Sequence, residues 1–564
     1  MYGTASRTDT ANRKGDDMRL CNSKTKTETG FEYVVNSLYI RTPYGKKRAK
    51  AISAFEPGRE EDLRKELWRL EKTVELIRRQ PDLVERLYEV LHEIKDNTLT
   101  IKRSAGSVLS VVELYEIKTL LLQMDKIRGL LAAAEAEVPA KFQLQDVTEL
   151  LDILDPGKER INTFYIYDVF SEKLAALRAD KRKIELDIRK VQKELKRKVE
   201  GAYGIIMTPK FEYKVPKADK QLMEKARGIP ELSLDDEDYM TATFTLASND
   251  EVDRLKGDME ALNEAIEEEE LRIQEELSKK VAQFQSLLLD NCTAIGELDF
   301  NLAKASFALN NNCVKPEIVE EHVLELVDGR QLVVEEILRK KGKEYCPVSI
   351  DLKDGVTCIT GANMGGKTIT LKMAGQCSLL AQHGFYVPCS RAKIGLSSYV
   401  HILIGDSQNV QRGLSSFGSE MEELKEILDR SKDRALLLID EIASGTNPVE
   451  GMALTKSIVN YLSEKAYISV ITTHFDNVTA GKARNMQVRG LAGVDYELLT
   501  REIRYANRKE RIEIISKYMD YRLYEVADNK EIPKDALNIA QMLGIDREII
   551  EQARKYMEDP KDEK

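Results

Sequence analysis

The chain has 564 residues, 32% of them charged and 6% aromatic, with a formal net charge of -10 at pH 7. Such a length holds roughly two to four domains, and the acidic balance excludes a protein that coats nucleic acid over its whole surface, so a nucleic-acid site must be a local basic patch. The seven cysteines (Cys21, Cys292, Cys313, Cys346, Cys358, Cys377, Cys389) never form a CxxC pair, and the five histidines show no ligand spacing. Both facts argue against a disulfide framework and a zinc centre, and for a reducing compartment.

The first residues, MYGTASRTDTANRKGDDMRL, lack the apolar core of a signal peptide, and no run approaches the roughly 18 to 20 apolar residues of a membrane span. A cytoplasmic protein without a membrane partner is expected, with residues 1–29 as a disordered tail in which Met18 offers a second start. From about residue 57 to 131 the pattern is helical. Leu63, Leu67, Leu70, Val74 and Ile77 recur at steps of three and four, and Trp68 belongs to the same helix. A second stripe runs from Leu174 through Ile184, Ile188 and Leu195 to Val199. Its counterpart runs from Val252 through Ile266 and Ile273 to Phe284, which predicts an antiparallel helical arm.

Residues 201–250 lie between these stripes. GIIMTPKFEYKV and YMTATFTL are β-prone there, and Pro209, Pro216 and Pro230 break helices, the pattern of a small sheet at the arm's tip. Charge is divided along the arm: residues 181–227 carry 15 Lys/Arg against 7 Asp/Glu, and residues 231–276 carry 3 against 17. Either the two helices neutralise one another, or Lys210, Lys214, Lys217 and Lys220, which lie beyond them, meet phosphates. After about Val314 short apolar runs at 356–360, 435–439 and 469–472 alternate with helical segments, as a mostly parallel sheet requires. The C-terminal KDALNIAQMLGIDREIIEQARKYM reads as two short helices joined at Gly544.

Three stretches carry chemistry. GANMGGKT satisfies G-x-x-x-x-G-K-[ST] with Gly361, Gly366, Lys367 and Thr368, and it sits between a predicted strand and a predicted helix. Its backbone N–H groups and helix N-terminus cradle phosphates, Lys367 reaches the β and γ groups, and Thr368 holds magnesium. ALLLIDEIASGTN ends an apolar strand in two carboxylates: Asp440 to bind magnesium through water, and Glu441 to polarise the attacking water. VITTHF places His474 just past another buried strand, where it can sense a γ-phosphate. Between the first two lies IGDSQNVQRGLSSFGSEMEELKEIL, in which Ser415 and Ser416 are either helix caps or part of a functional loop.

These motifs resemble the MutS family of DNA mismatch-repair ATPases, a branch of the ABC-type fold. TGANMGGKT is similar to the family's P-loop, GLSSFGSEM to its signature loop, DEIASGTNPVEG to its Walker B segment, and TTHF to its switch histidine. ELDFNLAKASFA and DGRQLVVE extend the resemblance upstream, over roughly residues 30 to 560.

The fold this implies is an α/β P-loop ATPase of ABC type, preceded by a long all-α lever domain with a small β-containing clamp at the tip of an antiparallel helical arm. The expected division is a tail at 1–29, a helical lever at 30–190, the clamp insert at 191–250 and the returning lever at 251–313. The ATPase follows at 314–520, and a helical dimerisation segment at 521–564. The resemblance further implies ATP and magnesium as cofactors, with Asn363, Gly365, Gly366, Lys367 and Thr368 at the phosphates, Gln408 coupling nucleotide to lever, and Tyr345 stacking on adenine. Ser415 would complete the site of an opposite subunit, in a homodimer or heterodimer.

The family's mismatch-reading and connector domains are expected to be absent, as is a nuclease-like tail. Ala362 stands for the usual proline, Gln331-Leu332 for the usual His-Pro, and NKEIPKD for a Ser/Gly-rich segment. The signature loop is closer to the family's second branch, which acts on recombination structures and stalled ribosomes. The expected function is therefore a dimeric ATPase that clamps branched or double-stranded DNA without reading mismatches directly. Two alternatives stay open: a chaperone that reactivates a cobalamin-dependent aminomutase such as lysine 5,6-aminomutase, and an ATPase acting on ribosomes.

Overall fold

The computed structural model describes residues 20–558 except 362–365, 406–415, 476–477, 480–482, 492–493, 504–506 and 527–535. The chain divides into two compact units. One is Ile94–Gly129 with Leu144–Cys292, and the other is Met1–Glu93 with Leu130–Gln143 and Thr293–Lys564.

The first of these contains the arm. Helix Glu172–Tyr203 is capped by Ser171 and helix Asp250–Gln283 by Asn249, each side chain accepting a backbone N–H three residues on. Their apolar stripes meet, burying Leu174, Val199, Val252, Ile266, Ile273 and Leu277. Ion pairs Lys173–Glu269 (3.2 Å) and Arg178–Glu270 (2.6 Å) join the basic helix to the acidic one. The tip holds an antiparallel sheet of β1 (Glu212–Pro216), β2 (Leu232–Glu237) and β3 (Thr241–Leu246) in the order β1-β3-β2, with helix Lys220–Arg227. Phe244, Val215, Met207 and Ile205 form its core with Val199. The insert begins after Tyr203, later than the expected residue 191, because the arm helix continues to that point. β2 and the tip helix fall outside the two β-prone runs, and GIIMTPK forms no strand.

The larger unit carries two sheets. Its strands are β4 (Glu317–Val319), β5 (Val323–Gly329), β6 (Val348–Lys353), β7 (Gly355–Thr360), β8 (Arg391–Gly395), β9 (Tyr399–Ile404), β10 (Ala435–Asp440), β11 (Tyr467–Thr472), β12 (Arg484–Gly490) and β13 (Asp520–Glu525). A four-stranded sheet has the order β4-β8-β5-β6, and a six-stranded sheet the order β13-β12-β7-β11-β10-β9. In the latter every pairing is parallel except that of edge strand β13. Alternate residues of β10 feed two cores, Leu436 and Leu438 on one face and Leu437 and Ile439 on the other. Burial on both faces explains why this strand reads as an unbroken apolar run.

Three expected boundaries shift. The first core also takes Leu63, Leu67, Leu70 and Val74, and helix Glu60–Arg79 packs beside β4 of the four-stranded sheet, where Arg64 donates to the Ile318 carbonyl, rather than in a separate lever. Within the expected tail, Leu20 and Cys21 are buried, and helix Ser23–Glu28 is tied down by Lys24–Glu423 (2.8 Å) and Glu28–Lys372 (2.7 Å). Met18 lies outside the described residues. Finally, β13 belongs to the sheet, so a boundary at 520/521 would cut a strand. Helices Ala536–Leu543 and Arg547–Glu558 flank Gly544 as expected. Among the described residues no helix is long and apolar enough to cross a membrane.

Candidate active site

The site follows from strand order. β7, β11 and β10 are adjacent and parallel, so the segments leaving their C-terminal ends emerge at one edge. Those segments are the P-loop, the stretch Thr473-His474, and Asp440-Glu441. The P-loop helix, Lys367–Gln382, is buried almost throughout. Gly366 precedes it at φ 75, in the left-handed region, and a Cβ there would stand 3.1 Å from the Tyr521 ring. Glycine meets both demands.

Thr368 Oγ1 donates to Asp440 Oδ2 at 2.7 Å, and Thr472 Oγ1 donates to Asp440 Oδ1 at 2.5 Å. The Lys367 ammonium is buried, 2.8 Å from the Gly361 carbonyl and 3.3 Å from Glu441 Oε1. Glu441 has φ 44 and Ala443 φ 61. The Glu441 N–H is held by Thr472 Oγ1 (3.0 Å) and by the Thr472 carbonyl (3.1 Å), and the Ala443 N–H by Glu420 Oε2 (3.2 Å). Burial pushes the Glu420 carboxyl above its ordinary pKa.

The donor set fits magnesium. Thr368 Oγ1 and Asp440 Oδ2 are hard oxygens side by side, of the kind that would hold magnesium directly or through water. Among the described residues no group of three or more His, Cys, Asp or Glu could hold a metal. Magnesium would instead be held by the Thr368 hydroxyl, by Asp440 through water, and by phosphate oxygens.

The other expected site residues are less gathered. His474 is exposed, its ring 4.3 Å from that of Phe475, and it bonds to neither carboxylate among the described residues. The Tyr345 hydroxyl accepts the Gln331 N–H at 3.1 Å, and burial raises its pKa to about 12. Asn363, Gly365, Gln408 and Ser415 lie outside the described residues. At the tip, Lys217 pairs with Glu237 at 2.9 Å and Lys214 lies 3.5 Å from Glu212, so neither is the free cation expected. Lys210 and Lys220 are exposed and form no ion pair among the described residues. Residues 204–249 as a whole carry six Lys/Arg against eight Asp/Glu. The basic character read from the sequence thus belongs largely to the arm helix.

Sequence reasoning missed Thr472, Glu420 and Tyr521. A hydroxyl within an apolar strand, an acid on an amphipathic helix and a tyrosine on an edge strand have ordinary structural uses, and only folding brings them here.

A family model described as MutS domain V matches residues 357–560. The DNA mismatch repair protein MutS of Aquifex pyrophilus is 26% identical over 520 residues, which cover 87% of this chain and 57% of that protein. The Endonuclease MutS2 of Clostridium tetani is 27% identical over 506 residues, covering 87% and 59%. That of Symbiobacterium thermophilum is 33% identical over 299 residues, covering 51% and 34%. The chain thus matches less than two thirds of the length of each of these relatives.

Proposed function

The chain belongs to the MutS family, and from that premise we propose that it is a magnesium-dependent ATPase that couples nucleotide binding and hydrolysis to an action on DNA, as the names of its relatives suggest. The observation that carries the ATPase is the cluster Thr368–Asp440–Thr472 beside Lys367–Glu441. An arriving triphosphate competes with Glu441 for the Lys367 ammonium. Once Lys367 turns to the phosphate, Glu441 is free to accept the proton of the attacking water. Magnesium held by Thr368 and Asp440 would supply charge neutralisation at the phosphates. His474, Asn363, Gly365, Gln408 and Tyr345 are assigned to the nucleotide by family resemblance, and Ser415 to the site of a second subunit in a dimer. The helical arm and its tip act as lever and clamp.

The test is ATP hydrolysis at low salt with and without duplex or branched DNA. Stimulation by DNA is expected, with binding that weakens steeply as salt rises. Neutralising Lys210 and Lys220 together should flatten the log–log salt slope by about 1.8, from roughly 0.9 per phosphate contact. No response to any DNA would remove DNA as the client.

A second reading, a protein client, draws on the tip. Its net charge is negative, and Tyr239 and Met240 are 97% and 74% exposed there. Exposed apolar side chains rimmed by acids suit a protein surface better than phosphates.

A further inference from the structure

Thr472 ends β11, the strand between the P-loop strand β7 and the carboxylate strand β10. Its side chain is fully buried, and its hydroxyl is used twice. The proton goes to Asp440 Oδ1 at 2.5 Å, while a lone pair accepts the Glu441 N–H at 3.0 Å. The other Asp440 oxygen accepts from Thr368, so the carboxylate is gripped on both sides. Glu441 sits at φ 44, a conformation that L residues rarely adopt and that persists only when surrounding contacts impose it. The contacts that impose it here come from Thr472, through its hydroxyl and its own carbonyl at 3.1 Å.

We infer that Thr472 is a positioning residue of the hydrolytic centre, its hydroxyl fixing both the orientation of the Asp440 carboxylate and the left-handed turn that aims Glu441. The role rests on the ATPase reading above and adds to it a buried residue that acts through Asp440 and Glu441. Without the hydroxyl, Asp440 can rotate away from the Thr368 side and Glu441 can relax from its turn. The Lys367 contact with the Gly361 carbonyl does not involve Thr472. Turnover should therefore suffer and nucleotide binding should not.

The experiment compares Thr472→Val, which keeps the branched shape in the strand, with Thr472→Ser, which keeps the hydroxyl. Thr472→Val should lower kcat about 10- to 100-fold while the Kd for a fluorescent ATP analogue, measured without divalent metal, stays within about threefold. Its affinity for Mn2+ in the nucleotide complex, followed by electron paramagnetic resonance, should fall about tenfold. Thr472→Ser should return kcat to within about threefold of the unmodified chain. The role is overturned if Thr472→Val keeps kcat within about threefold, or if Thr472→Ser is as slow as Thr472→Val. Should Thr472→Val fail to fold, Thr472→Ala against Thr472→Ser decides by the same criteria. Lys367→Ala, run alongside, separates the two failures. If it hydrolyses ATP as the unmodified chain does, the ATPase reading itself falls; if it is inactive while Thr472→Val stays fast, only the role of Thr472 falls.

Discussion

Replacing Glu66 by Gln should destabilise the larger unit, by an amount that depends on pH in a direction opposite to simple acid sensitivity. Glu66 and Lys304 form a buried pair at 2.9 Å, with side chains 5% and 0% exposed. Lys304 also donates to the Gly384 carbonyl at 3.1 Å. Gly384 closes the P-loop helix: its N–H bonds to Ala381 O and the Phe385 N–H to Leu380 O, with Gly384 at φ 73. Burial alone would push the Glu66 carboxyl up, but Lys304 beside it holds the group well below the ordinary range. A depressed carboxylate contributes stability above its unfolded pKa of about 4.3 and loses it as pH falls below that value.

In Glu66→Gln the ammonium remains buried without its counter-charge, a change that costs about 3 to 5 kcal/mol. Burial already lowers the Lys304 pKa, and without Glu66 nothing comparable opposes it. The folded variant can then shed the proton, at a cost of about 4.6 kcal/mol at pH 7 and about 1.9 kcal/mol at pH 9, from an ordinary lysine pKa of about 10.4. Between those values the unfolded chain binds more protons than the folded one, so the deficit shrinks as pH rises. Trp68, the chain's one tryptophan, lies half-buried on the same helix as Glu66 and reports unfolding in urea by fluorescence. Glu66→Gln/Lys304→Met, which removes both charges, should recover most of the loss. A deficit under about 1 kcal/mol at pH 7, or one that fails to shrink at pH 9 relative to the unmodified chain, would refute the reasoning.

Other expectations concern the site and the packing around it. Glu441→Gln should bind ATP but hydrolyse it about 100-fold or more slowly, and Lys367→Ala should lose both, as read by nucleotide affinity and phosphate release. Gly375→Ala would set a methyl 2.6 Å from Thr29 Cγ2 and 3.0 Å from Leu438 Cδ1. The resulting strain should lower stability by about 1 to 3 kcal/mol in the same urea assay. At the tip, Phe244 is 1% exposed in a small core. Phe244→Ala should cost about 3 to 5 kcal/mol, enough to unfold the tip and open it to limited proteolysis, while DNA-independent ATP hydrolysis persists.

The sequence by itself determined the strands that carry the site, the P-loop and its helix, the two carboxylates, and the arm with a sheet at its end. These are local patterns: an apolar run, a glycine spacing, a repeat of three and four residues, each legible within one window. What only the tertiary structure decided depends on residues far apart in the chain. Helix Glu60–Arg79 has the periodicity of a bundle helix, yet its leucines enter the core that the two sheets share, because periodicity gives a buried face and not its partner. Residues 20–28 are polar enough to read as a tail, yet Glu423 and Lys372, some hundreds of positions away, hold them in place. Lys217 looked free until antiparallel pairing brought Glu237 to it. Thr472 was one hydroxyl in VITTHF until the order β7-β11-β10 set it between the phosphate loop and the carboxylates. Spacing along a chain specifies which groups are present, and strand order specifies which of them share a hydrogen bond.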